Sequence, residues 1–359
     1  MRDVLVTDPD IPEARRCTQA TEFWQLLFSS LNLTVYRETG EDGLRKLWQG
    51  MLGPRHQGQF LEGLAKLGID PDGPPAVVAG KYHYLSNLIG GLRMQYVEES
   101  PAKVWNRNMG PMWAFPGLAM LAIPTTLRRE IMAIWHPNDG PLLGSDRLAW
   151  VITKTMTEGH PYDEGYFCEY PHRIGPSERV RYEVAVRTPE CDEAAQPRLD
   201  PVLWPQARLL KARKRYVGGY VRAVMDSLLD RYGERTASYM LEQALIGLAI
   251  QFTPQLLRSH GIDGSDAEAF VTFMTSLLRA CDQDHELQVI DRLNFRILVP
   301  GDIAPYAAPA GERLRTVHFR FFEAAARMVN GHLAVTRRAV DRDTPLEIWN
   351  VNDTGKWLW

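Results

Sequence analysis

The sequence predicts an α+β protein made of two similar helix-plus-antiparallel-strand repeats, packed as a pseudo-dimer. Its 359 residues fit two domains of roughly 150 residues each. Apolar residues recur at helical spacing in some segments and alternate in others. The order helix, helix, helix, strand, helix, hairpin occurs twice, offset by roughly 190 residues. An internal duplication would explain this agreement.

Helices in the first half are predicted from apolar residues spaced three and four apart, and Gly68 is predicted to end the third of them. Residues 95–108 predict two strands with a bend near Pro101, and residues 148–170 predict a hairpin. The apolar stripes are Phe23, Trp24, Leu27, Phe28 and Leu31; Leu44, Leu47, Trp48 and Met51; Phe60, Leu61, Leu64 and Leu67; Leu85, Leu88, Ile89 and Leu92; and Leu127, Ile131, Ile134 and Trp135.

The second half repeats these elements. Its stripes are Tyr220, Val221, Val224, Met225, Leu228 and Leu229; Met240, Leu241, Ala244, Leu245 and Leu248; Phe270, Phe273, Met274, Leu277 and Leu278; and Leu314, Val317, Phe321, Phe322, Ala325 and Met328. Residues 287–299 predict one strand, and residues 332–351 predict a hairpin. We therefore expect an N-terminal helical arm (1–42), a first α+β repeat (43–186), a linker rich in proline and charge (187–209) and a second repeat (210–359).

Composition narrows the class of protein. The formal charge of -3 is spread along the chain, so there is no basic face of the kind that nucleic acid requires. No stretch approaches the roughly 20 apolar residues that span a bilayer, so we expect no membrane segment. The four cysteines form no CxxC pair, which favours reduced thiols and a cytoplasmic protein.

The segment that follows the fifth helix carries an unexplained histidine. Asn138-Asp139-Gly140 here, and Asn330-Gly331 in the second half, are typical of C-terminal caps in the left-handed conformation. Capping accounts for the glycine and not for His136, which the second half lacks. If His136 serves chemistry, a carboxylate should lie within hydrogen-bond reach of its ring, with Asp139, Glu164 and Glu169 as the candidates. The alternative is that His136 hydrogen-bonds the last backbone carbonyls of the helix and faces solvent.

Residues 158–172 are the richest window in titratable groups. His160, either Asp163 or Glu164, and Tyr166 are candidate acid and base groups at the mouth of a pocket, and Cys168 is a candidate nucleophile. In a strand, Tyr166 and Cys168 share one face, while Phe167 and Glu169 share the other. The alternative is a polar turn between strands together with a cysteine that merely packs.

An apolar segment at residues 104–120 predicts the wall of a pocket. Trp113 and Phe115 would cover a flat hydrophobic ligand, and Arg107 and Asn108 would orient it. Such a segment can equally be a buried connection between a strand and a helix. His83, Trp135 and Asp139 complete the candidate substrate-binding set.

Metal and cofactor sites are not predicted. His136 with Asp139, or His160 with Glu164, could donate two ligands and His83 a third, but the sequence has neither HExxH nor CxxC. Gly90 and Gly91 lack the strand and spacing of a dinucleotide fingerprint. We therefore expect no metal and no cofactor.

The order of elements, with each half ending in a helix, Asn-Gly, strand, turn and strand, resembles two related groups of proteins. These are the hydrocarbon-binding domains of the vinyl-reductase type and the L-2-amino-thiazoline-4-carboxylic acid hydrolase-like proteins. The resemblance covers residues 43–170 and 210–352. It implies a cysteine on the last strand, which Cys168 matches and residues 346–351 do not. Some relatives bind zinc near that hairpin, but this chain lacks the second cysteine.

Two classes of function remain. One is a cofactor-independent enzyme, a lyase or hydrolase, that acts on an aromatic or hydrophobic small molecule by acid-base catalysis. The other is a small-molecule-binding or sensory protein without turnover. The histidines and the cysteine of the first repeat favour the enzyme. The expected partner is a small molecule, and assembly into a homo-oligomer stays open.

Overall fold

Each half of the chain opens with a helix of 55 residues that bends at a glycine. The computed structural model describes residues 13–110, 122–184, 187–303, 305–306, 311–340 and 346–358. Helix α1 spans Glu13–Leu67 and bends at Gly40, where φ is 70°. Three of the predicted helices thus lie in one long helix, which ends at the predicted Gly68 in the left-handed conformation. Glycine reaches this region without the steric cost that a Cβ brings.

The first half then forms a five-stranded sheet with helices. After α1 come α2 (Pro75–Ile89), β1 (Met94–Ser100), β2 (Lys103–Asn108), α3 (Leu127–Trp135), α4 (Asp139–Leu142), β3 (Leu148–Lys154), β4 (Asp163–Glu169) and β5 (Val180–Tyr182). The strand order is β1-β2-β4-β3-β5, and all pairs are antiparallel except β3 with β5. The two strands predicted around Pro101 and the hairpin predicted at residues 148–170 are confirmed.

The second half has the same order of elements, except that its described residues contain no counterpart of α4 or β5. Its members are α5 (Gln206–His260), α6 (Ala267–Ala280), β6 (Glu286–Val289), β7 (Asn294–Pro300), α7 (Glu312–Val329), β8 (Leu333–Val340) and β9 (Leu346–Asp353). Helix α5 bends at Gly233, at the same position along its length as Gly40 in α1. The strand order β6-β7-β9-β8 matches that of the first four strands. The single strand predicted over residues 287–299 was wrong, because a turn at 290–293 separates β6 from β7. The α+β class is confirmed; packing as a pseudo-dimer stays a prediction.

The chain forms two compact units. One combines the described residues up to Thr34 with those from Lys214 onward, and the other is Val35–Arg213. The arm predicted at residues 1–42 and the linker predicted at 187–209 stay predictions. Within Val35–Arg213, the Gln196 side chain exchanges two hydrogen bonds with the backbone of Tyr96 on the edge strand β1. This pairing satisfies edge groups that would otherwise be open to solvent.

Both predicted left-handed caps were wrong. Helix α7 ends at Val329, and Asn330 has an extended backbone with φ of -158°. Gly140 lies inside the short helix α4, and the left-handed glycine is Gly144, just beyond that helix. The chain after α3 continues through a 3-10 turn into α4, so it needs no terminal glycine at Gly140.

The core of the Lys214–Trp359 part is aromatic around a buried charge cluster. Trp349 packs with its ring centroid 5.1 Å from those of both Phe319 and Phe322. Beside it, Glu347 accepts hydrogen bonds from Arg315 and Arg337. Pairing offsets the cost of burying these charges.

None of the described helices is both long and apolar enough to cross a membrane.

Replacing Gly80 tests the close packing of α2 on the sheet. An added Cβ at Gly80 would lie 2.4 Å from Cγ1 of Val104, whereas one at Gly247 of α5 would meet nothing within 4 Å. We expect Gly80→Ala to lower the free energy of unfolding by about 1–3 kcal/mol. Gly247→Ala is the control and should be neutral or raise it by up to about 1 kcal/mol. Equal urea midpoints for the two variants would contradict this packing.

Two buried histidines predict a loss of stability in acid. Burial lowers the pKa of His260, which contacts Ser276, to about 4, and that of His318, which contacts Tyr306, to about 4. Between pH 6.5 and 4 the unfolded chain binds more protons than the folded one, so stability falls as the pH drops through this window.

The substitution His260→Asn tests this effect. Asparagine retains a hydrogen-bonding group for Ser276 but does not titrate, so the acid-induced loss should shrink by on the order of 3 kcal/mol. Urea unfolding at pH 7 and at pH 4 measures the difference, with His172→Asn as the matched exposed substitution. The same pH slope in His260→Asn and wild type would be inconsistent with a buried neutral ring.

Candidate functional site

The five-stranded sheet has two faces, and they separate the candidate residues. Val104, Trp150 and Phe167 pack with α2 on what we call the inner face. Trp105, Val151 and Tyr166 cluster on the outer face. Successive side chains of a strand point to opposite faces, so neighbours in sequence lie on different sides. The predicted separation of Tyr166 and Cys168 from Phe167 is confirmed.

On the inner face, a buried histidine contacts a buried carboxylate. Nε2 of His83, from α2, lies 2.7 Å from Oδ2 of Asp139, the first residue of α4. His83 is 3% exposed and Asp139 is fully buried. The His83 ring also stacks on Phe167, with centroids 5.4 Å apart. A carboxylate at this distance orients the imidazole.

His136 lies beside this pair. Its ring stacks on Trp150 with centroids 4.2 Å apart, and it lies 4.4 Å from the ring of His83. Nδ1 of His136 is 2.9 Å from the carbonyl oxygen of Met132, one turn back in α3. Asp139, one of the three carboxylates expected near His136, thus contacts the ring of His83. Trp135 lies at the edge of the cluster, 6.3 Å from His83.

The inner face also carries polar groups from β2 and β4. Nδ2 of Asn106 donates to the carbonyl of Gly80 at 3.0 Å, and Nδ2 of Asn108 lies 3.5 Å from the carboxylate of Asp163. Asp163 also accepts a hydrogen bond from Arg128 at 2.7 Å. Asn106 and Asn108 are each only 5% exposed. This face therefore combines a histidine–carboxylate pair, two carboxamides and an ion pair.

On the outer face, a charge cluster surrounds Glu164. The carboxylate of Glu164 is fully buried and accepts hydrogen bonds from Arg107 at 2.6 Å and from Thr153 at 2.8 Å. The ammonium of Lys154 is 3.2 Å away, and Arg107 also donates to the carbonyl of Pro189. Every charge in the cluster has a partner, which favours a structural role for the Glu164 and Arg107 assigned to the site.

Tyr166 and Cys168 lie near this cluster. The hydroxyl of Tyr166 contacts Glu183 at 2.7 Å, and burial together with Glu183 raises the pKa of Tyr166. Burial also raises the pKa of the Cys168 thiol. A thiol with a raised pKa is mostly protonated near neutral pH, which disfavours Cys168 as a nucleophile.

The remaining candidates are dispersed. His160 is exposed on the turn before β4, and Glu169, at the end of β4, pairs with Arg147. Trp113 and Phe115 lie outside the described residues, so the predicted aromatic wall stays a prediction. Within the described ranges, no three histidine, cysteine, aspartate or glutamate side chains are placed to hold a metal ion.

Sequence reasoning missed Asn106, Arg128 and Trp150 as members of the inner face, and it named Asp163 only as the alternative to Glu164. The alternation of residues 104–108 contained a signal, because Asn106 and Asn108 fall on the same face of one strand. Arg128 and Asp163 are far apart in sequence, so no local sequence pattern predicts their contact.

Comparison of the chain with protein-family models, characterised proteins and solved structures finds no match. The resemblance to vinyl-reductase-type domains and L-2-amino-thiazoline-4-carboxylic acid hydrolase-like proteins therefore stays a prediction.

Glu164→Gln tests the structural role of the outer cluster. The variant removes the negative charge between Arg107 and Lys154, which leaves positive charge buried without compensation. We expect the free energy of unfolding to fall by about 3–5 kcal/mol. Glu62→Gln, which breaks an exposed pair with Lys66, is the control and should cost less than about 1 kcal/mol in the same urea titration. Similar losses in both variants would show that the buried cluster contributes no more than a surface pair.

Proposed function

We propose that the protein is a cofactor-independent lyase or hydrolase that acts on an aromatic or hydrophobic small molecule, with His83 as its acid-base group. The buried contact between His83 and Asp139 at 2.7 Å carries this proposal. It moves the centre of the expected chemistry from residues 158–172 to the inner face of the sheet.

The contact between the two side chains suits proton transfer. The Asp139 carboxylate at 2.7 Å fixes the orientation of the His83 ring, which would exchange a proton with the substrate. Both groups are buried, and their attraction is stronger there than in water. General acid-base catalysis by such a group contributes about 10²–10⁴-fold to a rate.

The surrounding rings favour an apolar substrate. The His83 ring is flanked by Phe167 and His136, and His136 stacks in turn on Trp150. These contacts hold the imidazole in one orientation, as a base must be held to reach its proton. His136 is therefore a positioning residue in this proposal.

A binding or sensory protein without turnover is the second candidate. The separation of the two faces favours it, because Glu164, Tyr166 and Cys168 lie on the side of the sheet away from His83. The inner face then has fewer acid-base groups than residues 158–172 suggested. Ligand binding requires only the shape and the polar groups of that face.

Substitution of His83 separates the two candidates. A panel of aromatic esters, aromatic amides and aromatic hydroxy acids is incubated with the purified protein without added cofactor. For any member that is turned over, we expect kcat of His83→Gln to fall by at least about 100-fold, because glutamine does not transfer the proton. Asp139→Asn should also lower kcat, with folding of each variant checked by thermal melting.

His172→Gln, at an exposed position, is the matched control and should retain wild-type kcat. Turnover at the wild-type rate in His83→Gln would contradict the proposed role. Binding of panel members with no turnover of any of them would favour the binding protein.

A further inference from the structure

Three buried polar atoms of the inner face have no hydrogen-bond partner among the described residues. They are Oδ1 of Asn106, Oδ1 of Asn108 and Nε1 of Trp150. The two asparagines are 5% exposed and Trp150 is 1% exposed. A buried polar group without a partner costs free energy, so most such groups in proteins are paired. Three of them on one face therefore point to a group that would satisfy them.

The sheet register brings these atoms together. Asn106 on β2 is directly paired with Gly165 on β4. The Trp150 ring lies over Gly165, since a Cβ there would be 2.4 Å from Cζ2 of Trp150. Asn108 follows two residues along the same face of β2, about 7 Å from Asn106 by strand geometry. The absence of a side chain at Gly165 lets the indole approach the strand that carries both carboxamides.

The same layer contains the histidine of the proposed function. Asn106 donates to the carbonyl of Gly80, one turn before His83 in α2. Trp150 stacks on His136, which in turn lies beside His83. A small molecule held by the unpaired atoms would therefore lie near the His83 ring.

The unpaired atoms define which chemical group fits. The donor nitrogens of Asn106 and Asn108 face the Gly80 carbonyl and the Asp163 carboxylate, so their oxygens are the available acceptors. Trp150 supplies a donor, since its indole nitrogen can only donate. Two acceptors and one donor complement a primary carboxamide, which has two N–H groups and one carbonyl oxygen.

The neighbours of these atoms restrict the rest of the ligand. Val104, Ile152 and Phe167 are buried on the same face, so the remainder of the ligand would be apolar. The charge of Arg128 is already balanced by Asp163, so this arginine would attract a carboxylate ligand only weakly. The two acceptor oxygens would also repel such an anion.

We propose that Asn106, Asn108 and Trp150 bind the amide group of an aromatic primary carboxamide. This inference rests on the proposed function in placing the ligand beside His83. The ligand satisfies the three polar atoms at once, and its ring lies among the apolar side chains of the inner face.

Calorimetric titration with benzamide tests the proposal, with acetophenone and benzoate as the matched ligands. Acetophenone keeps the carbonyl and loses the N–H donors, whereas benzoate replaces them with an anion. We expect benzamide to bind the wild type more tightly than either. Asn108→Leu removes one acceptor at similar volume and should weaken benzamide about tenfold or more.

Three further variants complete the design. Asn106→Leu should weaken benzamide in the same way, with thermal melting to verify folding because the Gly80 carbonyl loses its donor. Ser238→Ala removes a buried hydroxyl of the other unit that has no partner among the described residues, and it should leave benzamide binding unchanged. The third variant, His83→Gln, is assayed for turnover of the panel substrates and does not serve as a binding control, because His83 lies beside the proposed ligand.

The outcomes separate this inference from the proposed function. Equal benzamide affinity in wild type and folded Asn108→Leu, equal affinity for benzamide and acetophenone, or no benzamide binding by the wild type would each overturn the carboxamide site. Unchanged turnover of a panel substrate in His83→Gln would overturn the catalytic role and leave the carboxamide site standing.

Discussion

The close packing of α2 on the inner face of the five-stranded sheet is the constraint on which the candidate site depends. Gly80 lets the helix approach Val104, and Gly165 lets the Trp150 ring lie close against β4. A side chain at either glycine would push the layers apart, because protein interiors have few voids to absorb it. The same approach brings Asn106 to the Gly80 carbonyl and His83 onto Phe167. Helix position, polar contacts and the histidine pair are therefore consequences of one packing arrangement.

The two faces of the sheet also differ in how their buried charged side chains are paired. On the outer face, the buried carboxylate of Glu164 is paired with two cations and a hydroxyl. On the inner face, the buried carboxylate of Asp139 contacts the ring of His83 at 2.7 Å. The first arrangement favours a structural role, whereas the second is the basis of the proposed proton transfer by His83.

The two halves share an order of elements but use their buried polar groups differently. The Lys214–Trp359 part buries Glu347 between two arginines, next to an aromatic core. Its buried histidine His260 contacts the hydroxyl of Ser276 and has a lowered pKa, so the ring is neutral at pH 7. A carboxylate contact at 2.7 Å distinguishes His83 from this ring. The same topology thus carries a histidine–hydroxyl contact in one half and a histidine–carboxylate pair in the other.

The sequence by itself determined the α+β class, most of the strands, the end of α1 at Gly68 and the alternation of Tyr166 with Phe167. These features follow from periodicity and from glycine conformation, which act between residues close in the chain. Only the tertiary structure paired His83 with Asp139, which are 56 residues apart, and separated Glu164 and Cys168 from them. It also replaced the expected cap at Gly140 with a further turn of helix, which places Asp139 at His83. Such contacts depend on how helices pack on a sheet, and short-range patterns carry no information about that packing.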